Sequence, residues 1–231
     1  MNALRLVAVA GCLAASACTH VVHTADVKPG VSMSLMGGAG AEWLEGEWRW
    51  NPSDAETPQA RFAPAWDVAV SLGYGWRLTD ELGISTSITV PYGHRPDDKT
   101  YGLAGVALDT YLQLLHTPLD LGVGVQLGNA TGVYVEAGHG WDLEGGPELR
   151  VDGGLRLAVV AGSLEDQSLA VIPFALFTAR GDEFYAGLWA DTWIMAPPLY
   201  RCGEACFGPY QPAAFALMGG AVVGFNYDSA R

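Results

Sequence analysis

The stretch "WDVAVSLGYGWRLTDELGISTSITVPY", Trp66 to Tyr92, alternates large and small residues through a whole hairpin. Trp66, Val68, Val70, Leu72, Tyr74, Trp76 and Leu78 are large and apolar, with Asp67, Ala69, Ser71, Gly73, Gly75 and Arg77 between them. Past Thr79-Asp80-Glu81 the pattern resumes with Leu82, Ile84, Ile88, Val90 and Tyr92 against Gly83, Ser85, Ser87 and Thr89. A period of two means strands with two unlike faces. Which face meets the core decides whether the fold belongs in water or in a membrane.

In a soluble barrel or sandwich the large residues point inward, and the other face should be rich in Lys, Glu and Thr. Here that face is mostly Gly, Ser and Ala with an isolated charge per strand. Such a face suits a crowded lumen. Trp66 and Trp76 stand ten residues apart on the large face, with Tyr74 beside the second. At about 3.3 Å per residue and a tilt of about 40°, they lie about 25 Å apart in height. That is the height of a lipid-facing band with an aromatic girdle at each edge, and Tyr92 and Trp141 close other apolar stripes at strand ends. The large face is therefore read as the outside, in contact with lipid.

The same alternation recurs along the chain. Val31-Met33-Leu35 open the series, and "GGAGAEWLEGEWRW" either prolongs this strand or forms a separate one. "GHRPDDKT" reads as a charged loop. Val106 to Leu114, Leu119 to Leu127, Val133 to Trp141 and Leu149 to Val159 then read as strands. Leu169 to Thr178 is ambiguous in phase and contains Pro173, which removes a ladder hydrogen bond. Phe184 to Met195 and Ala213 to Tyr227 complete about ten strands, with eight or twelve also compatible. No helix is expected. The fold class is all-β, an antiparallel up-and-down transmembrane barrel.

Composition agrees with this. Of 231 residues, half are apolar and only 16% are charged, against roughly a quarter in soluble domains. No apolar run approaches the roughly 20 residues of a membrane helix. A net charge of −13 with two lysines, Lys28 and Lys99, excludes a nucleic-acid partner. "MNALRLVAVAGCLAASAC" reads as a signal peptide over residues 1–17. Ala15-Ser16-Ala17 permits ordinary cleavage, whereas Cys18 at the first mature position also fits a lipid attachment site. Residues 18–29 follow as a periplasmic tether, and 30–231 as the barrel. Cys202 and Cys206, in "CGEAC", are expected to form a disulfide after export.

The chain resembles the small outer-membrane β-barrel proteins of Gram-negative bacteria, of the OmpX, OmpA-barrel and OmpW kind. The likeness lies in alternating strands, aromatic girdles, short inner turns and a final strand with Phe225 and Tyr227. It implies a cell-envelope protein in the outer membrane, lipid as its surroundings, and the barrel-assembly machinery as a partner during biogenesis. An even strand number puts both ends and the turns Thr79–Glu81 and His116–Pro118 on the periplasmic side.

Asp109, Tyr111, Gln113, Glu136, Arg150, Asp152, Arg156 and Asp191 fall on the lumen face. Either they pair and plug the barrel, with Glu136 set against Arg150 or Arg156, or they line a selective pore or small-ligand pocket with Trp189 and Trp193. On this reading Val123→Arg should be severe and Gly124→Ser mild. No cofactor or metal is expected. The five histidines are scattered, and none shares a strand with a serine and an acid in triad order. His139, beside Trp141, occupies the kind of position where lipid-modifying barrel enzymes place a histidine; an interfacial histidine explains it equally. A non-enzymatic structural or narrow-transport role leads. A soluble lipocalin-like barrel, tethered by lipid and binding an apolar ligand, is the alternative.

Overall fold

A computed structural model describes residues 20, 23–44, 61–95, 100–103, 106–116, 118–128, 130–161, 167–195 and 214–227. The signal peptide, Cys18 and the Cys202–Cys206 pair lie outside the described residues. Among the described residues there is no helix. The strands are β1 (Gly30–Leu44), β2 (Arg61–Arg77), β3 (Gly83–Arg95), β4 (Thr100–Leu103), β5 (Ala107–His116) and β6 (Asp120–Leu127). They continue as β7 (Ala130–Asp142), β8 (Glu148–Ala161), β9 (Gln167–Arg180), β10 (Phe184–Met195) and β11 (Ala214–Tyr227).

Every pairing is antiparallel, and the β1–β11 and β2–β3 ladders close the sheet on itself. β4 and β5 pair with successive stretches of β3 and form one wall strand, so the barrel closes with ten. Part of the stretch read as a charged loop is thus wall: Thr100 pairs with Arg95 and Leu103 with Tyr92. The doubtful segment before Leu44 prolongs the first strand, since β1 pairs along fifteen residues with β2.

The large face is outside. Leu121, Val123, Val125 and Leu127 of β6 are exposed, while Asp120, Gly122, Gly124 and Gln126 are buried. The hairpin Trp66–Tyr92 behaves alike, with Val68, Val70, Leu72 and Ile88 exposed and Asp67, Ala69 and Thr89 buried. A belt of exposed Val, Leu and Ile on a closed barrel is unstable in water and stable in hydrocarbon, so the molecule is a membrane-spanning barrel. Rings mark both edges. Trp66 stands 6.1 Å from Tyr92 near one end; Tyr74 and Trp76, 4.6 Å apart, sit near the other, the end that also carries Trp141.

The ambiguous strand is β9, and the structure explains its ambiguity. It presents Leu169, Pro173 and Phe177 outward while burying Ala170, Ile172, Phe174 and Leu176. Those inward residues join three apolar clusters: Ala170 and Ile172 around Trp193 with Ala130, Ala158 and Ala216, Leu176 around Trp189 with Met36, Met218 and Val222, and Phe174 with Ala25, Val27, Tyr111 and Tyr134. The lumen is therefore polar only in part.

The short turns 78–82, 118–119, 143–147 and 181–183 gather at one end with Gly30 and Tyr227. Before Gly30 the chain departs from the expected tether. His20 and residues 25–27 are buried inside the barrel. They enter by the short-turn mouth, and Gly30, with φ 101°, makes the reversal from lumen to wall that a residue with a Cβ would resist. The wall's buried acids need partners, and this segment supplies them.

Candidate functional site

Among the described residues, buried wall acids outnumber buried wall bases: the acids are Asp67, Asp109, Asp120, Glu136, Asp152 and Asp191, and the bases are Arg150, Arg156 and Arg180. Buried charges need compensation, and residues 20–29 bring two histidines and Lys28 along with Asp26.

At the short-turn mouth, Asp26 meets Arg77 at 2.7 Å, Lys28 at 2.9 Å and Arg180 at 3.0 Å. Burial alone would raise this carboxyl, but Lys28, Arg180 and Arg150 hold it well below the usual carboxylate range. Oxygen and nitrogen atoms of Asp26, His116 and Asp120 converge within 4.8 Å, a set that could hold a metal ion. The cations around Asp26, and Arg150 on Asp120, already supply the positive charge that such an ion would bring.

Deeper in, the segment's backbone is satisfied by wall side chains, as buried amides require. Ala25 N–H donates to Asp152 Oδ1 and Val27 N–H to Gln113 Oε1, both at 3.0 Å. The Ala25 carbonyl accepts from the Tyr111 hydroxyl at 3.2 Å. His23 Nε2 lies 2.5 Å from the Tyr134 hydroxyl, which donates to Asp109 Oδ1 at 2.8 Å. His23 Nδ1 faces Glu136 Oε2 at 3.2 Å.

Deepest of the described segment, His20 lies between two wall carboxylates. Nε2 is 2.5 Å from Asp67, Nδ1 contacts Asp191, and the ring rests 4.2 Å from Trp189. Burial favours the neutral ring, but Asp191 and Asp67 outweigh it and push the imidazole up to about 9. The protonated ring donates from both nitrogens.

The eight residues assigned to the lumen are all buried there. Their partners differ from the expected ones. Arg150 is held by Asp152 at 2.9 Å and Asp120 at 2.5 Å; Arg156 donates to Gln126 and lies 5.0 Å from the Trp193 ring centre. Among the described residues Glu136 is met by His23 Nδ1, while Arg150 is taken up by Asp152 and Asp120. Gly124 was expected to tolerate Ser. A Cβ there would collide with the Tyr134 ring, which lies across the glycine. The segment 20–29 was the main omission. Its signal was visible as two histidines, an aspartate and a lysine in ten residues.

No protein-family model matches the sequence, and no curated protein is similar to it in sequence. Among solved structures, an outer-membrane channel from Pseudomonas putida F1 superposes with a TM-score of 0.48 at 12% identity, covering 90% of this chain and 100% of the other. The translocator domain of the autotransporter NalP from Neisseria meningitidis gives 0.38 at 10% identity, covering 97% and 94%.

Proposed function

We propose that this chain is a non-enzymatic outer-membrane barrel whose lumen is stoppered by its own residues 20–29, making a narrow, normally closed passage. One observation carries the reading: the segment is held at three levels, by Asp67 and Asp191, by Tyr134 and Glu136, and by Arg77 and Arg180. Planar-bilayer recording tests it. The full chain should show no stable openings, and a chain in which residues 20–29 are deleted should conduct. Stable conductance of the full chain equal to that of the deletion would reject the stopper.

The apolar exterior speaks against the soluble, lipocalin-like alternative, because detergent or lipid must cover it. Outward Phe215, Phe225 and Tyr227 suit recognition of the last strand by the barrel-assembly machinery. His139 supports no enzymatic role: its partners are the Pro118 carbonyl and the Trp141 indole, neither a nucleophile.

Whether Cys18 carries a lipid or follows ordinary cleavage is read by mass spectrometry of the mature N-terminus: a diacylglyceryl-modified Cys18 would establish the anchor, and an unmodified Cys18 would establish plain cleavage.

A further inference from the structure

The lumen holds residues 20–29 as a receptor holds a linear peptide. Wall side chains read the backbone at alternate residues. Asp152 and Gln113 accept from the Ala25 and Val27 N–H groups, and Tyr111 donates to the Ala25 carbonyl. Bonds to a peptide's main chain give affinity, and pockets for chosen side chains give selectivity. Here both come from β2, β5 and β7 to β10, whose side chains converge on the segment.

Four positions are selective. His20 enters between Asp67 and Asp191, and His23 lies between Glu136 and Asp109, beside the Tyr134 hydroxyl. Acids line both places, so both call for a cationic side chain. Ala25 is fully buried against Val27, Tyr111, Tyr134 and Phe174, and nothing larger fits there. Asp26 supplies a carboxylate where Arg77 and Arg180 meet it. The way in suits the same chemistry. At the short-turn mouth a cavity of about 520 Å³ is lined by Asp142, Glu148, Asp182 and Glu183, together with Lys28 and Arg180. Its acids outnumber its bases, which draws a cationic peptide toward the lumen.

We propose that the lumen is a binding site for a separate linear peptide of this chemistry: cations at its first and fourth positions, a small residue at the sixth and a carboxylate at the seventh. Residues 20–29 are the attached occupant, and a partner peptide entering by the short-turn mouth exchanges with them. Attachment gives the segment an effective concentration on the order of 1 mM, so exchange needs a partner that binds more tightly or is present in excess. That an occupant closes the passage rests on the stoppered-passage reading; binding of the peptide does not.

The full chain carrying Ala25→Trp tests the site, because its own segment cannot seat. A fluorescein-labelled, end-blocked peptide of residues 20–29 should bind this chain saturably in detergent, read by anisotropy. Peptides carrying His20→Glu with His23→Glu, or Ala25→Trp, should bind about tenfold more weakly or worse. A folded Ala25→Trp chain that binds no peptide, or binds the charge-reversed one equally, overturns the site. If that chain does not fold, the parent decides: millimolar peptide should raise hydrogen exchange within residues 20–29, and the charge-reversed peptide should not. Unchanged exchange, or an equal rise with both peptides, then overturns the site. Peptide binding that leaves a conducting Ala25→Trp chain just as conductive keeps the site and sinks the stopper. Conductance of that chain without peptide binding does the reverse.

Discussion

The two faces of β6 obey different rules, although they alternate along one strand. Outward, Leu121, Val123, Val125 and Leu127 meet hydrocarbon, which offers no directional partner. Inward, Asp120 holds Arg150, Gly122 and Gly124 lie beneath Tyr111 and Tyr134, and Gln126 accepts from Arg156. The outer face asks only for apolar character. The inner face asks for particular residues at particular places, because each buried polar group must find its partner within a confined space.

The sharpest way to break that contrast is a charge on the outer face. Val123→Arg should cost about 2–4 kcal/mol near the bilayer midplane, read as a loss of folding yield into liposomes and of heat-resistant mobility in gels. Val123→Leu should change neither. Equal tolerance of Arg and Leu would mean that lipid does not touch this face.

The inner face should respond to pH through His20. Its value is raised from the ordinary 6.5 to about 9. Folding therefore gains stability that is fully present below pH 6.5 and lost as the pH rises through about 9, on the order of 3 kcal/mol for this group. Protease cleavage within residues 20–29, or channel openings, should increase across that window, and His20→Gln should abolish the pH dependence. A flat response of the parent protein between pH 6 and 10 would show that the two carboxylates do not hold a charged ring.

Gly124→Ser should cost about 1–3 kcal/mol by overpacking against Tyr134. Denaturant midpoints in detergent measure this, and Tyr134→Ala in the same chain should remove most of the serine's effect. Additive losses would place the ring away from the glycine. The smallest change is expected at Glu136, whose oxygens have no hydrogen-bond donor among the described residues and which faces His23 Nδ1 at 3.2 Å. Glu136→Gln should fall between no change and a stabilisation of about 1 kcal/mol, since it removes a buried charge. A loss above about 2 kcal/mol in the same titration would mean that the carboxylate is essential to holding His23.

The barrel was legible because period-two alternation is a property of each strand alone. Trp66 to Tyr92 reveals its two faces without reference to any other part of the chain, and aromatic spacing sets the belt height. β9 was less legible. Much of its inward face is apolar because Trp189 and Trp193, on the next strand, occupy the lumen beside Leu176, Ala170 and Ile172. The position of Gly124 under a tyrosine likewise depends on the β6–β7 register, with Gly124 opposite Tyr134.

Local chemistry could therefore establish strands, their outward face and a polar lumen. It could not say which charges would meet. His20 finds its acids 47 and 171 residues away, and Asp26 finds Arg180 across 154. Residues 20–29 have no strand alternation to mark them, and as a sequence they read as a tether. Only the closed wall, whose described residues include more buried acids than arginines, gives His20 and Asp26 their partners. Compensation of buried charge depends on the whole enclosure, and alternation depends on one strand.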